Sequence, residues 1–450
     1  MVKLRFLIYG GAIAAATFVA SGAQAQDAGI LEAPIPVAPT ASVPVYNPDG
    51  SIRLAIPGFT TPNSVRNRPR PVYDALGIRG GRFVLYPSAS AGAVYNSNVL
   101  YTETNEESDW ALELAPSLRL VSDFSRHALN VFLESRSLVY NRLTSENITD
   151  MTAAIDGRID VLRATNLVLG AAYRILHEPR NAPDLPGNAA KPTRYSVAGG
   201  QAAFNHLFNR LQLSIGGFFD RYVFADTELR PPGPTILDNH DRDRDQYGAF
   251  AQAGYVFSPG YSAFLRGSIN ERRYDLNLDR FGFRRDSQGY EAVGGLQFEL
   301  TRLVVGQIYG GYLEQRFDDP GFRNIGGPAF GAQLEWYPTQ LTTVRLDVRR
   351  SIDETILVGS SSFTNSHFAL GVDHELLRNL IVSLDGIYEK DAYNGTARAD
   401  NIFGVSVGVT YLMNRNLQFN VGYLYSKRNS NEAGLDYTNH TLRIALIGKL

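Results

Sequence analysis

The chain has no cysteine among its 450 residues. That excludes disulfides, thiol nucleophiles, thiolate metal centres and a lipid anchor on cysteine. It has no surplus charge: 43 Lys and Arg stand against 45 Asp and Glu, a formal net charge of −2. Nothing there favours nucleic acid, whose binders carry basic patches. It also has no long apolar run beyond its N-terminus, where a spanning helix would need roughly 20 residues. A mean hydropathy of −0.16 excludes a bundle of membrane helices. It permits a membrane β-barrel, in which apolar and polar positions alternate and cancel.

What is present starts with MVKLRFLIYGGAIAAATFVASGAQAQ. Lys3 and Arg5 precede an apolar run from Phe6 to Ala20, and Ala23-Gln24-Ala25 follows. A positive start, an apolar centre and a small-x-small site read as a secretory signal peptide spanning 1–25. The run is too short to serve as a membrane anchor. Residues 26–80 are interrupted by Pro34, Pro36, Pro39, Pro44, Pro48, Pro57, Pro62, Pro69 and Pro71, with a basic knot at Arg66, Arg68 and Arg70. Proline at this density breaks helices and central strands. The segment reads as a disordered, Pro-rich exported linker, or as a periplasmic arm that plugs the protein or docks on a partner.

From residue 81 to 450 one plan repeats. VLRATNLVLGAAYRI (161–175), LTRLVVGQIYGGYLEQRF (300–317), LLRNLIVSLDGIYEKD (376–391) and LMNRNLQFNVGYLYSKRN (412–429) each hold a strand end, a short turn and a long alternating strand. Turns this short force antiparallel hairpins. Longer polar stretches separate the hairpins, among them EPRNAPDLPGNAAKPT (178–193) and ADTELRPPGPTILDNHDRDRD (225–245). Nine long loops and eight short turns imply eighteen strands, with sixteen as the alternative. All short connections fall at one end of the sheet and all long ones at the other. That asymmetry, with alternation sustained for twelve or more positions, marks an all-β antiparallel transmembrane β-barrel. A propeller or sandwich needs shorter strands.

The two faces of each strand differ. Leu112, Leu114, Leu213, Ile215, Leu346, Val348 and Val382 alternate with polar neighbours and are candidates to face lipid; Leu211 and Phe219 continue that stripe on their strand. The candidate lumen-facing set is Glu113, Arg119, Glu134, Arg136, Asp156, Arg158, Arg174, Arg266, Arg345, Asp347, Arg349, Asp373, Asp385 and Glu389. A charge facing hydrocarbon would cost roughly 2–4 kcal/mol, so these belong in a wet interior. Their mixed signs suit a weakly selective wall rather than a ring of one charge. Tyr86, Tyr95, Tyr101, Tyr140, Tyr255, Tyr261, Trp336, Tyr337, Tyr411 and Tyr437 sit towards strand ends, as interfacial aromatic girdles do.

Several stretches together resemble a bacterial outer-membrane family, putative β-barrel porin 2, common in Alphaproteobacteria. They are RPRPVYDALGIRGGRFVLYPS (68–88), SDFSRHALN (122–130), DRDRDQY (241–247), SPGYSAFLRGSINERRYD (258–275), DHELLRNL (373–380) and YLMNRNL (411–417). The resemblance implies an outer-membrane barrel without catalytic residues, bounded by lipid and inserted by the barrel-assembly machinery. The expected function is passage of a hydrophilic solute, with exopolysaccharide export, suggested by some related barrels, as the specific form and a plugged structural or adhesive barrel as the alternative. The chain departs from such barrels in ending on Leu450 rather than an aromatic residue, though Leu442, Ile444 and Leu446 keep the alternation.

Other chemistry finds little support. Asp241, Asp243 and Asp245 mimic the start of a calcium loop, but Gln246 and Gln252 hold the positions where an EF-hand needs Gly and Glu. A strand rim with cross-strand pairs is the other reading. No G-x-S-x-G elbow is present, and the seven histidines are scattered. No enzyme, cofactor, metal site or nucleic-acid partner is expected.

Overall fold

In the computed structural model the alternating segments become eighteen strands of 13 to 16 residues. The structure describes residues 64–231, 235–300 and 303–450; the expected signal peptide and most of the expected arm lie outside them. The strands are β1 (Phe83–Asn96), β2 (Asp109–Ser122), β3 (Ala128–Tyr140), β4 (Ile148–Leu162), β5 (Thr165–His177) and β6 (Arg194–Phe208). Next come β7 (Leu211–Phe224), β8 (Arg244–Ser258), β9 (Tyr261–Tyr274), β10 (Ser287–Leu300), β11 (Val304–Phe317) and β12 (Ile325–Thr339). The last are β13 (Thr342–Glu354), β14 (Ser362–Leu377), β15 (Leu380–Tyr393), β16 (Ala399–Leu412), β17 (Leu417–Ser430) and β18 (Tyr437–Lys449).

Each strand pairs antiparallel with the next, and β18 returns to β1 through Gly92–Ala445 and its neighbours. The closed sheet is the eighteen-stranded barrel that the turn count implied. Connections at one end run from two to five residues, and those at the other from five to nineteen. Asn209-Arg210 and Pro259-Gly260 make two of the tightest turns. Asn209 at φ 53° and Gly260 at φ 80° supply the left-handed backbone such turns require.

Following paired residues once around the sheet returns to β1 about 22 positions out of register, a stagger that tilts the strands by about 40°. A 14-residue strand at that tilt rises about 35 Å along the axis at about 3.4 Å per residue. This exceeds the apolar band of about 25 Å that an outer-membrane barrel presents. The strands are long enough to cross.

One seam is shorter than the rest. β12 and β13 pair from Gly331–Arg349 to Trp336–Val344, with one more pair at Thr339–Thr342 past a bulge. The neighbouring β11–β12 seam runs from Gln315–Ile325 to Val304–Trp336.

Two expectations need correction. Tyr337 and Tyr437 are buried and belong to no outer girdle, because their positions fall on the inward side of the alternation. Tyr86 and Tyr140 also fall on the inward side, opposite Arg119 and Ala111, whereas Tyr95, Trp110, Tyr255, Tyr261, Trp336 and Tyr411 are outward. The NHDRDRD stretch is not a strand rim throughout: His240–Arg242 is a single 3-10 turn, and β8 begins only at Arg244.

Candidate functional site: the barrel interior

Alternation gives each strand a convex and a concave face. On β2, Leu112 is 51% exposed, Glu113 0% and Leu114 42%. The same inversion recurs around the sheet: Asp220, Gln307, Asp347, Asp373 and Glu389 are buried while Ile215, Leu265, Ile308, Leu370 and Leu384 are exposed. A water-soluble fold does the reverse. The buried face is the concave one, since its side chains reach strands that are not neighbours. Arg244 of β8 lies 2.8 Å from Glu354 of β13, which only an interior path allows.

All fourteen residues of the charged set fall on this concave side by register, Arg119 opposite Phe132, Glu134 opposite Ser117 and Thr152, Arg174 opposite Thr152 and Val197, and Arg349 opposite Gly331 and His367 among them. The apolar set, Leu112, Leu114, Leu213, Ile215, Leu346, Val348 and Val382, falls on the other side.

Charge on the concave face is compensated at three levels. Near the short-turn end, Arg345 donates to Asp373 at 2.8 Å and to Asp385 at 2.6 Å, and Ser383 donates to Asp373 at 2.6 Å. Half-way up, Glu113 accepts from Arg136 at 2.7 Å and Arg443 at 2.5 Å, tying β2 to β3 and, across β1, to β18. Asn130 donates to Asp156 at 2.8 Å, Arg266 to Glu291 at 3.0 Å, and Arg158 pairs with Asp160 at 2.9 Å. A polar ladder runs from Gln307 through Gln333 (2.9 Å) to Asp347 (3.1 Å), and the His367 ring lies 2.7 Å from Glu389. Unpaired, such buried charges would each cost several kcal/mol.

The third level is built by loops, where periodicity gave no signal. Buried Arg242 binds Glu178, Arg285 donates to Asp279 at 2.7 Å, and Thr355 donates to Asp184 at 2.6 Å. With Arg285 also donating to the Thr355 carbonyl, these join the connections after β5, β7, β9 and β13 across the long-loop end. Sequence reading missed all of them.

At the opposite end, residues 64–74 lie against the concave wall rather than trailing as an extended arm. The Val65 N–H donates to Thr343 Oγ1 at 2.9 Å, Arg66 to Asp373 at 2.7 Å, and Arg70 to Glu375 at 3.0 Å; Arg68 lies 3.3 Å from Glu375. The basic knot seen in the sequence faces three acids of β14 and β15.

The acidic stretch forms no convergent calcium loop. Asp241 binds Arg280, Asp243 accepts from the Phe224 N–H, and Asp245 pairs with Arg221. Asp226, Asp238 and His240 do bring ligand atoms within 4.8 Å of one another, but all three are exposed. His240, outside the strands, has its pKa raised by its hydrogen bond to Asp243 and by that carboxylate's charge.

The family model described as Putative beta-barrel porin 2 matches residues 70–449. The chain belongs to that family. Among solved structures, this porin-2 chain is similar in fold to the siderophore receptor PirA from Acinetobacter baumannii, with 6% identity, 81% of this chain and 80% of that one covered, and a TM-score of 0.44. It is also similar to the outer membrane protein OpdK from Pseudomonas aeruginosa, at 13% identity, 81% and 99% coverage and TM-score 0.42. OpdL from the same organism gives 13%, 82% and 98%, and 0.41. No curated protein matches the porin-2 chain.

Proposed function

We propose that this porin-2 barrel resides in the outer membrane of a Gram-negative bacterium and passes hydrophilic solute, with an exported polysaccharide as the specific form. The carrying observation is the inversion of the two faces: acyl chains are the solvent that suits the convex side, and water suits the concave one. Family membership supports the reading. Eighteen strands enclose an interior wide enough for an aqueous path. Outer-membrane lipid and the barrel-assembly machinery are the implied partners, and no cofactor or catalytic residue is invoked.

A second reading, a plugged structural or adhesive barrel, draws support from the third-level loops and from residues 64–74 against the inner mouth. Planar-bilayer recordings separate the two. Channel events from the mature chain, or from the chain lacking residues 27–80, support transport, and events only after the deletion identify the arm as a plug. Silence from both contradicts transport. Glycosyltransferase and polymer-export genes beside this one would favour polysaccharide over a general solute.

A further inference from the structure

Above Arg349 the end of β13 keeps its partner β14 as far as Glu354–Ser362, yet loses β12. Counting from Leu346 and Val348, Ile352 and Glu354 belong on the convex face. Instead Ile352 packs against the inner-wall cluster of Phe264, Val293, Leu313 and Ala329, and its carbonyl accepts from Arg272 at 3.2 Å. Glu354 lies 2.8 Å from Arg244 Nε and 3.3 Å from Arg272 Nη1, and accepts from Tyr274 Oη at 2.7 Å. Those partners stand on β8 and β9, five and four strands away, so the tip of the β13–β14 hairpin is tucked inside the wall. Outside it, the Asn394 side chain donates to the Arg323 carbonyl at 2.7 Å, linking the loop before β12 to the loop after β15.

The tip reaches a cluster of guanidinium groups. Arg285 binds the Thr355 and Ser360 carbonyls of the tip loop. Glu354 is ion-paired with both Arg244 and Arg272. Arg272 and Arg285 are more than nine-tenths buried, and Arg272 Nε and Arg285 Nη2 have no hydrogen-bond partner. Buried donors without acceptors are costly, so the site has more donating capacity than Glu354 fills.

We propose that Arg244, Arg272 and Arg285 form a recognition site for a carboxylate-bearing hydrophilic solute, an acidic saccharide, which Glu354 occupies as an internal carboxylate. A solute carboxylate pairs with the same guanidinium groups, adds charge-assisted, fork-shaped bonds to Arg272, and displaces Glu354. The freed tip returns to the wall, where the β12–β13 register continues through Phe330 with Arg350, and the outer half of the lumen widens. A neutral saccharide has no charge to offer and leaves the tip in place. The widening rests on the channel reading; the binding does not.

The test is calorimetric titration of the detergent-solubilised mature chain with trigalacturonate and, separately, maltotriose. Removing the internal competitor in Glu354→Gln tightens trigalacturonate binding by about ten-fold, and Arg272→Gln weakens it by at least about ten-fold. Maltotriose binds neither. Heat-modifiable gel mobility verifies folding of each variant. In this cysteine-free chain, a Phe330→Cys, Arg350→Cys pair forms a disulfide faster with trigalacturonate present. Glu354→Gln binding no tighter than the parent, or maltotriose binding equally, overturns the assignment. A barrel silent in bilayers that still binds trigalacturonate through Arg272 fails the channel reading alone.

Discussion

Val405 is the seventh of the fourteen residues of β16, 47% exposed on the convex face, and so stands near half-height on the wall. If that face meets acyl chains, Val405→Arg places a charge near the bilayer midplane and destabilises the barrel by about 2–4 kcal/mol. Tyr411, on the same face but the penultimate residue of the strand at its short-turn end, lies near an interface, and Tyr411→Arg costs only about 0–1 kcal/mol. Thr410 lies on the concave face, where an arginine meets water, and Thr410→Arg changes stability by less than about 1 kcal/mol by the same reasoning. The assay is reversible denaturant unfolding in phospholipid vesicles, followed by tryptophan fluorescence. Equal costs at 405 and 411, or a larger cost at 410 than at 405, would refute the assigned faces and their depth.

Other outcomes follow from the interior. Glu113→Ala leaves Arg136 and Arg443 facing each other without their shared, fully buried carboxylate, and costs about 3–5 kcal/mol in the same unfolding assay. His240 titrates above an ordinary histidine, and Asp243→Asn returns it to the usual range, which a histidine NMR titration reads. Because the folded pKa is raised, the contribution of that bond is fully present below the ordinary histidine pKa and fades as pH rises through the raised one. Asp373→Asn with Glu375→Gln removes two of the three acids facing the basic knot, leaving Asp385, and trypsin then cuts after Arg66 faster than in the parent, seen by mass spectrometry. An unchanged cleavage rate would contradict the docking of residues 64–74.

Much of the wall was legible because a membrane strand is long and its period is two. LQLSIGGFF already separated Ile215 from Ser214, and turns such as Asn209-Arg210 allowed the eighteen strands to be counted. The interior above the strands was not legible. Glu178 and Arg242 meet from loops 64 positions apart, and no local pattern announces such a pair. Glu354 escaped for another reason: where β13 parts from β12 the alternation persists in the chain but no longer says which side is inside. The aromatic girdle was over-read because tyrosine serves both faces, Tyr437 inward beside Asn181 and Tyr411 outward.

The protein carries two tryptophans, both on the convex face: Trp110 at the long-loop end of β2, 47% exposed, and Trp336 near the short-turn end of β12, 49% exposed. Reconstituted into vesicles whose acyl chains are brominated at a shallow position or at a deep one, their fluorescence reports the surroundings of the outer surface directly. The account predicts strong quenching, greater from the shallow bromines, with little further loss on adding aqueous iodide. Fluorescence that ignores the brominated lipids and falls with iodide would mean that the apolar side of the barrel faces no membrane.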